Sequence, residues 1–325
     1  MKSSPRSTVL RLVMSLGAIA FLLFISRGKL EEAWHVLRHG VSWQYFFVAA
    51  VMYFLGLVLL SYRLQSVFAV QEIHLGFGQT FYLGFLGLFF NLFLPSAVGG
   101  DIAKAYYAYK YSGRKMASTT SVLLDRLLGF VALIFMAFVS VVANPHFENE
   151  AVDKLIYAVM GLMVFSVLFF TSRRFAKIFA SLGRFIPSEK WKQRVSEIYH
   201  SIYGYKKHKR FLLLCVITSL FGQAFFIMTH YFMSLSLGIH LSPWIFFTLV
   251  PVIAIASMAP SLGGLGVREA AAVLLFQQFM PAERALALSV LLDMLLYGFS
   301  LTAGILFTFR GELRMKNLES MEETK

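Results

Sequence analysis

Apolar runs long enough to cross a lipid bilayer recur through this chain from residue 8 to residue 309, and no block of soluble character longer than about 40 residues separates them. A hydrocarbon core of about 30 Å needs about 20 apolar residues at 1.5 Å of rise each. Composition agrees, because only 14% of the 325 residues are charged while 58% are hydrophobic and 16% aromatic, against roughly a quarter charged in soluble proteins. The expected architecture is therefore an all-α polytopic membrane protein, one integral domain over residues 1–325 with no room for an appended catalytic domain. Full crossings are expected at Leu12 to Ile25, Trp43 to Tyr62, Ala117 to Val142, Lys154 to Thr171, Phe211 to Leu237 and Ala285 to Phe309. The first of these is read as a retained helix rather than a signal peptide, since Ser26-Arg27-Gly28-Lys29 is not a small-x-small cleavage site.

The excess of 30 Lys and Arg over 17 Asp and Glu, a net charge of +13, is read as membrane topology rather than nucleic-acid binding. Residues 172–210 carry 11 of the basic residues against Glu189 and Glu197, which makes them a basic cytoplasmic loop by the positive-inside rule. The acidic stretch 144–153 suits the opposite side. Both termini, including the tail 310–325, then fall in the cytoplasm, and the expected location is a bacterial inner membrane. The single cysteine, Cys215, leaves no disulfide and no metal-ligand spacing, so no cofactor and no metal is expected.

Self-similarity narrows the architecture. Ser121-Val122-Leu123-Leu124-Asp125-Arg126-Leu127-Leu128 and Ser289-Val290-Leu291-Leu292-Asp293-Met294-Leu295-Leu296 share seven of eight residues at an offset of 168. Ile73-His74-Leu75 recurs as Ile239-His240-Leu241 at 166, and Pro95-Ser96 as Pro260-Ser261 at 165. Repeat one would run over 8–142 and repeat two over 154–309, joined across 143–153, each with three crossings and one broken hairpin. An odd number of crossings turns the second copy upside down. Six full transmembrane helices plus two re-entrant hairpins in an inverted repeat are the pattern of secondary transporters, whose sites lie where the repeats meet.

The hairpins are the apolar segments Gln79 to Tyr111 and Trp244 to Met280, each interrupted by Pro, Ser and Gly. Backbone groups freed by such a break must find partners inside protein or beside water. In the first, Pro95 ends a half-helix, Gly99 and Gly100 free the backbone, and Asp101 is suited to N-cap the helix through Lys104. The second repeats this with Pro260, Ser261, Gly263, Gly264 and Gly266, followed by Arg268 and Glu269. Half-helix N-termini inside a membrane are anion sites. Asp125, Arg126 and Asp293 interrupt apolar helices, where each costs about 2.5 to 3.5 kcal/mol unless paired. Arg126 could hold an anionic headgroup, pair Asp101 or Glu269, or bridge to Asp293. Asp125, Asp293 and Glu269 are candidate proton carriers, and Asn91 is a candidate polar contact four residues before Pro95. Histidines such as His230 read as structural.

The run Asn91-Leu92-Phe93-Leu94-Pro95-Ser96-Ala97-Val98-Gly99-Gly100-Asp101, the Asp125-Arg126 pair, and Pro260 through Glu269 together resemble the lysylphosphatidylglycerol synthase transmembrane-region, or flippase-like, family over roughly residues 10–310. The resemblance implies translocation of lipids with anionic or zwitterionic headgroups, phospholipid or polyprenyl-phosphate-linked. The soluble aminoacyl-transferring domain of bifunctional members is not in this sequence, so lipid synthesis is not carried over and the chain is expected to be a stand-alone member and not an enzyme. Lys104 stands where the family often has Arg, which keeps the charge but loses the bidentate fork. The expected partners are a membrane lipid and a separately encoded synthase or glycosyltransferase, with no nucleic acid and the oligomeric state left open. Two rival readings are a secondary transporter of small anions and a module that binds lipid and presents it without moving it.

Overall fold

The computed structural model describes residues 34–35, 37–38, 40–93, 99–143, 154, 156–158, 160–161, 209–258 and 266–310. Among the described residues the regular elements are α-helices and no strand occurs. In chain order the main helices are α1 Trp43–Val70, α2 Phe77–Phe93, α3 Gly99–Ser112, α4 Lys115–Ala143, α5 Lys209–Ser236, α6 Pro243–Ala256, α7 Val267–Phe276 and α8 Ala282–Arg310. An order of long, short, short, long thus occurs twice, with 28, 17, 14 and 29 residues and then 28, 14, 10 and 29.

Among the described residues four helices are long and apolar enough to span a bilayer: Trp43–Val70, Lys115–Ala143, Arg210–Ser236 and Ala282–Phe307. Their outward faces carry large apolar side chains such as Phe47, Phe221, Leu213, Leu301 and Ile305, all more than half exposed, a surface suited to lipid tails and not to water. The chain is an integral membrane protein. The expected crossing at 12–25, nearly all of that at 154–171, the loop 172–208 and the tail 311–325 lie outside the described residues.

The expected crossing from Trp43 ended at Tyr62, but α1 continues to Val70. The reason is that Arg63, which marked the end of the apolar run, is 3% exposed and finds an acid inside the protein, so it does not have to reach the interface. The central contact of the fold is α1 against α5, which run antiparallel: Ser42 N at the start of α1 donates to Ser236 O at the end of α5, 2.6 Å away. Midway, small residues let the helices close up. A Cβ on Gly56 would sit 2.8 Å from the Phe226 ring, and one on Gly222 would sit 2.7 Å from Leu60. Lipid tails are as apolar as leucine, so such close packing, not water exclusion, holds membrane helices together.

The short helices form two hairpins. Leu83 shares a core with Ala108, Gly87 lies against Lys104, and Asn91 bonds Gly100, an antiparallel pairing of α2 with α3. The open ends of this hairpin are clasped together on one side, where Arg114 Nη1 donates to Glu72 Oε2 at 2.7 Å and to Gln71 O at 3.2 Å. That hydrogen bond and the guanidinium charge hold the Glu72 carboxyl below the usual carboxylate range. In the second half Phe246 of α6 stacks on Phe276 of α7 at 5.3 Å. Each hairpin also packs on the other half: Phe89 of α2 presses on Gly304 of α8, while Ser140 of α4 donates to Trp244 O at 2.9 Å and shares a 2.8 Å hydrogen bond with Thr248 of α6.

Candidate functional site

The first cluster is built where the α2–α3 hairpin turns. Asn91 Oδ1 accepts from Gly100 N at 2.7 Å, so a side chain caps one of the free N–H groups at the start of α3. Gly99 and Gly100 are buried, and a Cβ on Gly100 would collide with the Gly87 carbonyl oxygen and with Asn91. Gly100→Ala therefore forces the two backbones apart, and an expected loss of about 2 kcal/mol or more would show as a lowered melting temperature of the purified protein. Asp101 was expected as the N-cap of α3. Instead it lies inside the first turn, because Gly99 already has helical backbone and Asn91 supplies the cap. From there Asp101 receives Arg126 of α4 through its Oδ2 and Lys104 Nζ at 3.3 Å through its Oδ1. The Arg126 guanidinium also rests 5.4 Å from the centre of the Phe130 ring.

The second cluster surrounds the start of α7. Gly266 has a φ of 84°, a conformation natural only to glycine, and its N–H is accepted by Glu269 Oε2. Arg268 donates to Glu269 Oε1 from Nε at 3.2 Å and Nη2 at 3.0 Å, and Nη2 also donates to Asp293 of α8. Pro95, Ser96, Pro260, Ser261, Gly263 and Gly264 lie outside the described residues.

One equivalence suggested by the sequence changes, and one open alternative closes. Asp125 and Asp293, aligned by the repeat, are not equivalent in bonding: Asp125 accepts from Arg63 Nε of α1 at 2.7 Å, and Arg63 Nη1 donates to Ser219 of α5 at 3.0 Å. Arg126, which sequence left open among three partners, takes Asp101. The pairs Asp101–Arg126 and Arg268–Asp293 each join residues 25 apart, with the order of acid and base reversed between the halves. Helix geometry explains the first change, since neighbours on a helix point about 100° apart and Asp125 and Arg126 cannot face one cluster together.

All three sets of charges meet one cavity of about 690 Å³. Its walls come from both halves: Tyr53, Arg63, Asn91, Asp101, Lys104, Asp125 and Arg126 of the first, and Gln223, His230 and Arg268 of the second. Around Asp101 two cations oppose one carboxylate, and around Arg268 two carboxylates oppose one cation. Among the described residues no group of His, Cys, Asp and Glu is arranged to hold a metal ion.

Comparison with known proteins now bears on this geometry. The family described as Lysylphosphatidylglycerol synthase TM region matches residues 8–304. The chain belongs to that family. A UPF0104 membrane protein of Methanothermobacter thermautotrophicus is similar, 26% identical over 167 residues, which make up 51% of this chain and 48% of that protein. The chain thus matches about half the length of this curated relative, and no solved structure matches it. Arg63, Tyr53 and Gln223 join the candidate site from the structure alone. Only Arg63 left a trace in the sequence, as a cation followed by seven further residues of helix-compatible, mostly apolar chain.

Proposed function

We propose that the chain moves lipids between leaflets, passing an anionic or zwitterionic headgroup, phospholipid or polyprenyl-phosphate-linked, through the cavity between its halves while the tails remain in the bilayer. The observation that carries this reading is one cavity lined by Lys104, Arg126 and Arg268 from both hairpins, each cation resting on a carboxylate. Such a carboxylate compensates the charge in the empty state and yields to a phosphate, for which the arginine fork is the better-matched partner. The antiparallel run of α1 and α5 and the clasp between Glu72 and Arg114 support six crossings with two re-entrant hairpins in an inverted repeat. On this reading the protein sits in a cytoplasmic membrane with both termini inside, performs no bond chemistry, and receives or delivers its lipid alongside a separately encoded synthase or glycosyltransferase.

The test is leaflet exchange of fluorescent phospholipids in vesicles containing the purified protein. Exchange is expected with the parent and should fall at least about tenfold in Arg126→Ala and in Arg268→Ala, each of which leaves a carboxylate to repel phosphate. Flux of a soluble anion without lipid exchange would favour the small-anion transporter, and lipid binding without exchange the presenting module.

A further inference from the structure

The charged groups of the cavity have partners, but part of its wall does not. Where α1 presents Arg63 matched by Asp125, the corresponding turn of α5 presents Thr229 and His230. Thr229 spends its hydroxyl on Phe225 O at 2.9 Å. His230 Nδ1 lies 2.9 Å from Phe226 O; a carbonyl can only accept, so Nδ1 carries the proton and, in the neutral ring, Nε2 is left as an acceptor. No described residue occupies that nitrogen. Nearby on α1, Tyr53 is 7% exposed and its ring is fixed between Phe226 at 5.1 Å and Phe299 at 4.9 Å. Its hydroxyl also has no described partner, although its ring lines the same cavity. Both side chains are within electrostatic reach of Arg268, which is itself paired with Glu269 and Asp293.

The Tyr53 hydroxyl and the His230 nitrogen have no protein partner among the described residues, so whatever fills the cavity beside them supplies their hydrogen bonds. An open acceptor calls for a donor. We infer that Tyr53 and His230 form a subsite for a hydrogen-bond-donating group of the lipid headgroup, a hydroxyl or a primary ammonium, while the phosphate is held at Lys104 and Arg126. This rests on the reading that headgroups enter the cavity. Under it the cavity residues have different tasks: Lys104 and Arg126 take phosphate, and the open acceptor of His230 with the Tyr53 hydroxyl takes the substituent that phosphate carries. A trimethylated headgroup, which has charge but no donor, would leave His230 unsatisfied.

The experiment is native mass spectrometry of the purified full chain with equimolar phosphatidylethanolamine, phosphatidylglycerol and phosphatidylcholine of identical acyl chains, with leaflet exchange run in parallel. Retention of phosphatidylethanolamine or phosphatidylglycerol over phosphatidylcholine by about fivefold or more is expected, the size of one net hydrogen bond. Which of the two is preferred identifies the donor as ammonium or hydroxyl. In His230→Phe and Tyr53→Phe the preference should shrink to within about twofold with phosphatidylcholine retention unchanged, whereas His230→Gln, which keeps an acceptor, should keep part of it. Equal retention of the three lipids by the parent, including no retention of any, overturns the inference, as does a preference that survives His230→Gln and both phenylalanine variants intact. Preference without exchange would sink transport and leave the subsite standing; exchange without preference would do the reverse.

Discussion

Arg63→Met is expected to destabilise the protein by about 3 to 5 kcal/mol, the cost of leaving one member of a buried ion pair behind. Asp125 would be left in a side chain only 11% exposed, with its 2.7 Å partner gone. Ser219 would lose its contact with the Arg63 guanidinium in the same step, loosening α1 from both α4 and α5 at once. The double replacement Arg63→Met with Asp125→Leu removes both charges and should recover most of the loss, because apolar groups of similar volume often substitute for a buried pair without penalty. Thermal unfolding of the three variants in one detergent measures this directly. A single Arg63→Met variant as stable as the parent would mean that Asp125 finds water or another cation and that the pair does not organise the cavity wall.

The second large effect concerns the reversed polarity of the hairpin ion pairs. Asp101→Arg alone would crowd three cations, with a new guanidinium in place of the acid between Lys104 and Arg126, and little monodisperse protein is expected. Arg126→Asp alone would face Asp101 with a like charge. Combined, the two changes recreate the order of base and acid that Arg268 and Asp293 already use, and folding should return with a coupling of about 2 to 3 kcal/mol, read from a double-mutant cycle of melting data. If the combined protein is no better than the single changes, the pair depends on something other than charge complementarity, such as the Phe130 ring beneath the Arg126 guanidinium.

Much of this fold was legible because lipid imposes simple demands. Apolar length set the four described long helices to within a few residues, except where α1 passes Tyr62, since a charge ends an apolar run in sequence but not a helix whose charge is paired inside. The pair of short helices in each half was legible from the Pro, Ser and Gly interruptions of the segments 79–111 and 244–280, although Gly99 and Gly100 are themselves helical, at the start of α3. The partners were not. Whether Arg126 turns to Asp101 or Asp293, and whether Asp125 meets Arg63, depends on which helices lie side by side, and α1 reaches Asp125 over 62 residues of sequence. Asp101 was misplaced by three positions, since α3 already begins at Gly99 and Asn91, nine residues from Gly100, caps it instead. His230 looked structural, and in part it is: Nδ1 bonds its own helix, while the residue also lines the cavity.

The crossing of α1 with α5 has one more property. Gly56 receives Phe226 and Gly222 receives Leu60, and both the two glycines and the two large residues are 166 positions apart. The contact is the same contact met twice, as at the isologous interface of a two-fold dimer, here within one polypeptide. A joint that reads identically from either end gives neither tilt of the halves an advantage at that point. On the proposed function, two arrangements, one opening the cavity to each leaflet, would then differ by little in free energy, and a headgroup bound with modest differential affinity would be enough to shift their populations.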